Sequence, residues 1–331
     1  MGTSFLLATG NGVFLAESNG AGYEARPLGL EGVVRWILAD PSRPGRAWAA
    51  TERAGVWRTD DGGRRWAEKN AGLVYKHALS LARHPDTGEL YVGTEPACIF
   101  RSTDGGESWE ELESLRRLPT RKDWTFPGPP FVAHVRGIGL SPSDPGVIFG
   151  AVEEGWLVRS TDGGGSWVNI KDGTEFDSHT VTVLPGDGKT VVSASGHGLY
   201  RSADGGETFA QSDAGIAHPY LINVAVHPDR PNVLFTAGAE VPPPGWRRPE
   251  GAGAGFYRSE DAGESWIPLT GGLPQRLAPA PRSIAVDPAS SGTVFIGLND
   301  GGVWASEDGG EEFSPVLSGL PPVLGIAPLP A

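Results

Sequence analysis

The chain has 331 residues, among them 49 Gly, 29 Pro and 11 Trp, and carries a formal net charge of −13. That acidic balance argues against nucleic acid and against an anionic membrane surface as partners, and a single cysteine, Cys98, rules out an internal disulfide. No run of about 18 apolar residues occurs, and Met1-Gly-Thr-Ser-Phe-Leu-Leu lacks the basic start and full apolar stretch of a secretory leader, so a cytoplasmic location is expected.

In chain order, Phe5–Leu28 holds three short β-like runs, FLLATG, GVFLAE and YEARPL, with no other strand signal before them. A repeat then begins. An apolar run ending in Pro recurs at Trp36–Pro41, Leu79–Pro85, Ile138–Pro142, Val181–Pro185, Val224–Pro228 and Ile284–Pro288. Each is followed by a second strand, a third, and a nine-residue phrase typified by Arg101–Trp109 (RSTDGGESW). The phrase recurs at Arg58–Trp66, Arg159–Trp167, Arg201–Phe209, Arg258–Trp266 and, more loosely, Ala305–Phe313. Its Asp-Gly-Gly core is turn chemistry: the carboxylate accepts from backbone N–H groups ahead of it, and Gly tolerates positive φ. The aspartates Asp61, Asp104, Asp162, Asp204, Asp261 and Asp308 lie 43, 58, 42, 57 and 47 residues apart. Four short strands need about 40–45 residues, so the two long intervals hold insertions, at 113–133 and 240–254. Val323–Pro328 repeats the Pro-terminated run with no phrase after it.

The nine-residue phrase resembles the Asp-box, or BNR, motif, Ser-x-Asp-x-Gly-x-Ser/Thr-Trp. That motif occurs in sialidases, sortilin-type domains, bacterial glycosidases and photosystem assembly factors. The resemblance implies an all-β β-propeller and leaves activity open, because those families differ in function. Seven four-stranded blades are expected over a single domain, 1–331, the carboxy-terminal strand joining the three amino-terminal ones so that no edge strand stays free. The six box aspartates are expected to be structural.

This strand order puts the starts of the inner strands and the ends of the second strands on one face of the ring, together with both insertions. Long loops converging on one end of a propeller are where a ligand pocket is expected. Eight and six residues before the inner-strand Pro, polar and ionisable side chains recur where apolar ones are expected, among them His77, His134, Tyr220, Arg35, Arg136, His179 and Arg282. His197 and His218 fall near the same level. Histidines gathered from several strands can hold a divalent metal ion such as iron, manganese or zinc without a local motif, a placement similar to the four-histidine iron centre of carotenoid-cleaving propellers. Glu95 and Glu153 are the candidate bases.

The leading expectation is therefore a metal-dependent enzyme, a hydrolase or lyase or else an iron-type oxygenase. It would act on a small polar or anionic substrate held by Arg35, Arg136, Arg282, Tyr220, Trp124 and Trp246. Two alternatives stand beside it. One is a non-catalytic binding or assembly propeller. The other is a metal-free sialidase-like glycosidase, in which three arginines hold a substrate carboxylate; the Arg-Ile-Pro signature of that family is absent. Carboxylates such as Glu52, Glu95 and Asp177 can instead neutralise the arginines.

Overall fold

The computed structural model of the protein describes residues 4–20, 22–186 and 188–329. Residues 1–3, on which part of the reading of the amino terminus rests, lie outside them. One repeat cannot bury its apolar faces alone, so each forms a twisted antiparallel sheet that stacks against its neighbours. Seven four-stranded sheets result. Six run from the axis outward in chain order, as in His134–Leu140, Ile148–Glu153, Trp156–Ser160 and Val168–Ile170. In the remaining sheet Val323–Pro328 lies innermost, followed by Ser4–Thr9, Gly12–Ser18 and Tyr23–Pro27. The two ends of the chain therefore close the ring, as expected. Counting this composite sheet as blade 1, the blades that follow start at Val34, His77, His134, Ser178, Tyr220 and Pro281.

Second strands are sandwiched between neighbouring blades, and their sequences show it. Ala47–Thr51, Val191–Ser195 and Leu234–Ala239 are buried at every residue, giving continuous small or apolar runs instead of alternation. The closing seam is aromatic: the Phe5 ring of blade 1 lies 4.4 Å from Phe295 of blade 7, with Tyr23 across both.

The Asp-box turns hold the lower face. Ser102 donates to Asp104 at 2.7 Å and accepts from the Gly106 N–H at 2.8 Å, while Asp104 accepts from the N–H and hydroxyl of Ser108. Gly105 and Gly106 take φ values of 75° and 89°, a conformation a side chain would strain. Burial works to raise the Asp104 carboxyl, but the Ser108 and Ser102 bonds hold it down at about 2. The boxes also join blades: Arg58, Arg159, Arg201 and Arg258 each donate, at 2.9–3.0 Å, to a turn carbonyl of the next blade's box.

Both insertions lie on the upper face. The first contains two short 3-10 turns, Glu113–Arg117 and Pro119–Asp123, and the second contains one, Pro243–Arg247. Among the described residues no helix is long and apolar enough to cross a membrane.

Candidate functional site

A shared backbone irregularity builds the site. In blades 2 to 7 the pairing of inner and second strands skips one position or two. The skipped residues are Arg35, Leu79, Arg136, His179, Ile222 with Asn223, and Arg282. All except Asn223 stand six residues before the Pro. A β-bulge bends its strand and re-aims the extra side chain, so one register position presents side chains that strict alternation would place elsewhere. Opposite the start of the inner strand, the second strands of blades 2 to 4 end in Glu52, Glu95 and Glu153.

These two levels neutralise each other almost completely. Arg35 donates to Glu52 at 2.7 Å. A continuous chain then crosses blades 3 and 4. His77 Nδ1 lies 3.0 Å from Glu95, and the other Glu95 oxygen is 3.5 Å from His134 Nδ1. His134 Nε2 reaches Glu153 at 2.7 Å, and Arg136 donates to the second Glu153 oxygen at 2.7 Å. Burial works to raise the Glu153 carboxyl, but Arg136 and His134 outweigh it and hold it far below the usual carboxylate range. Glu95 is lowered chiefly by the neighbouring His134. Burial opposes the charge on His134, yet Glu153 and Glu95 push its pKa up to about 9. His134 is therefore an imidazolium at neutral pH.

The five histidines do not form one shell. His77 and His134 share Glu95. His179 is fully buried, its Nδ1–H donating to the Leu221 carbonyl and its Nε2 3.1 Å from Asp177. His197 sits in the tight turn after Ser195 with a side chain 73% exposed, 3.7 Å from Glu175. His218, in the loop before Tyr220, accepts at Nδ1 from the Tyr257 hydroxyl, beside a separate cavity of about 770 Å³ that also contains Glu240 and Arg276. The group best placed for a metal is Glu153, Asp177 and His179, whose ligand atoms lie within 4.8 Å of one another. That group fits a divalent ion poorly, because the Arg136 guanidinium already occupies one Glu153 oxygen.

The three arginines meet at the central channel, a cavity of about 970 Å³. Five arginines and three glutamates line it, a positive wall in a strongly acidic chain. Arg282 differs from its two companions. Among the described residues no carboxylate pairs with it; its guanidinium lies 5.5 Å over the Trp246 ring. Burial, and then the neighbouring Arg136 and Arg35, lower its pKa to about 10, so it keeps its charge at neutral pH while repelled by both neighbours. Tyr220 stands between Arg136 and Trp246, close to the first and edge-on to the second at 5.7 Å. Thr180 Oγ1, Ser283 Oγ and Asn223 Oδ1, one residue further down the inner strands, are buried atoms without a protein partner. Of the other expected binding residues, Trp124 lies outside the channel, packed in blade 4 near Asn169 and under Arg121. Phe126 covers His134 at 4.8 Å and forms an upper lip with Pro129, Pro130 and Pro243.

The chain is thus a seven-bladed β-propeller carrying Asp-box repeats, with a cationic channel under two upper-face insertions. The BNR/Asp-box repeat family matches residues 100–111. Among solved structures the chain is similar to the GH74 enzyme of Niastella koreensis (18% identity over 95% of this chain and 47% of that one, TM-score 0.69). It is also similar to the GH74 xyloglucanase of Xanthomonas campestris (16%, 96% and 47%, TM-score 0.64). A third likeness is to YCF48 bound to D1 peptide (18%, 85% and 81%, TM-score 0.53). The chain spans less than half the length of either GH74 enzyme, and identities this low show the fold alone. No curated protein sequence matches it.

Proposed function

We propose that this propeller is a binding protein whose channel holds a small molecule by a single carboxylate, set against Arg282 between Arg35 and Arg136. The observation that carries the reading is the unpaired Arg282. Two of the three arginines are matched by Glu52 and Glu153, which leaves one partly buried positive charge without a carboxylate partner. A buried charge is costly unless paired, and a guanidinium matches a carboxylate through two parallel N–H donors. The proposed catalytic carboxylates point the same way. Glu95 and Glu153 are held as anions by their partners, which makes them weak bases and removes them as proton donors. A binding role also suits a fold in which YCF48, similar in structure, is seen bound to a peptide.

The second reading is a divalent ion, iron, manganese or zinc, at Glu153, Asp177 and His179, which would require Arg136 to release its Glu153 oxygen. The proximity of those three ligand groups favours it.

Thermal unfolding in millimolar benzoate and glucuronate tests the first reading. A ligand at about a hundred times its Kd adds ~2.7 kcal/mol of stability. The wild type is expected to gain stability with at least one carboxylate, and Arg282→Ala to gain none. No gain in the wild type, together with one equivalent of metal by mass spectrometry that His179→Ala loses, would replace this reading with the second.

A further inference from the structure

We infer that the ligand is amphipathic: one carboxylate on an unbranched aliphatic or flat aromatic body, seated head-up along the channel axis. The inference rests on the carboxylate reading and adds what lies below the carboxylate. The 970 Å³ cavity is continuous from Pro130 and Pro243 at the upper mouth to Pro85 and Pro288 at the lower rim. Its charge is concentrated in the upper part; at the lower end only Arg83, 3.7 Å from Asp40, joins the lining. The unpartnered oxygens of Thr180, Ser283 and Asn223 form a thin polar belt one residue below the level of Arg282.

Below the belt the wall changes character. In blades 1 and 2 the lower inner strands present Leu38, Ala39, Ile326 and Ala327 to the cavity, with the rim prolines beneath them. From the bulge to the terminal Pro is six residues of strand, about 20 Å at 3.3 Å per residue, so the apolar part is long enough for a chain of several carbons. A sugar acid carries a hydroxyl on nearly every carbon and would have to desolvate them against this wall without partners. An alkyl or aryl body gains by the same contact.

Calorimetric titration with acetate, butanoate, hexanoate, octanoate, octanamide and glucuronate tests the inference. Octanoate is expected to bind, with affinity rising about fourfold per methylene from butanoate upward, and octanamide is expected to bind at least tenfold more weakly. Arg282→Ala should weaken the whole carboxylate series. Leu38→Asn should flatten the chain-length slope while leaving butanoate binding in place; Ile326→Thr serves the same purpose if Leu38→Asn does not fold. Equal affinities for acetate and octanoate, or glucuronate binding tighter than octanoate, would overturn the amphipathic ligand and leave the carboxylate site standing. No heat with any carboxylate, in wild type and Arg282→Ala alike, would overturn both.

Discussion

His134 shows what one side chain does at this site. Buried between Glu95 and Glu153, its imidazole is held protonated up to about pH 9, against about 6.5 in an unfolded chain. A folded-state pKa raised above the unfolded one gives stability that is fully present below about pH 6.5 and is lost as pH rises toward 9. Urea midpoints of the wild type should therefore fall between pH 6.5 and 9, and His134→Gln should flatten that fall. An identical slope in both proteins would mean that His134 is neutral when folded. The residue types of this site were legible in the sequence, and so was Glu52 as a carboxylate able to neutralise an arginine, but the full set of pairings was not. His77, His134 and the three arginines stand out by register. Which carboxylate each one meets depends on distances between strands that register does not contain, and only those distances single out Arg282. His197 and His218 diverge for a local reason. One lies in a hairpin turn and the other ahead of its strand, so neither is held to the channel by strand pairing.

The Asp boxes gave the fold at the scale of elements, because Asp-Gly-Gly or Asp-Ala-Gly turns recur six times in one register with the strands around them. The bulge common to blades 2 to 7 left no comparable mark, since it replaces no residue type and adds no glycine. The opening arginine of the box was legible as a repeat position but not as a link between blades. Arg258 donates at 2.9 Å to Gly309 of the next box and pairs with Glu311 at 2.6 Å, whereas Arg101 makes no such carbonyl bond and sits 3.6 Å from Glu110. Hydrogen bonds from charged groups contribute about 1.5–3 kcal/mol, and an exposed ion pair contributes up to ~1 kcal/mol. Arg258→Ala is thus expected to cost more than Arg101→Ala by about 1 kcal/mol, measured as the shift in denaturant midpoint at unchanged slope. Equal costs would show that the carbonyl link between blades adds nothing.

At the scale of the whole molecule, ring closure was readable from two incomplete ends: three strands without an inner one, and one inner strand without the other three. The division of the channel was not. It arises when seven inner strands meet, mostly charged at the upper level and mostly apolar below, and the separate repeats do not show which of their side chains face the shared axis. The same assembly concentrates positive charge on the axis of a chain whose net charge is −13, which favours entry of an anion from solvent. The most direct measurement is the crystal structure of the protein soaked in 4-bromobenzoate, with the bromine located by its anomalous scattering. The account expects the carboxylate within about 3 Å of the Arg282 guanidinium and the bromine in the channel below it. Bromine found only in the His218–Glu240 cavity or on the outer surface, with nothing bound at Arg282, would contradict it.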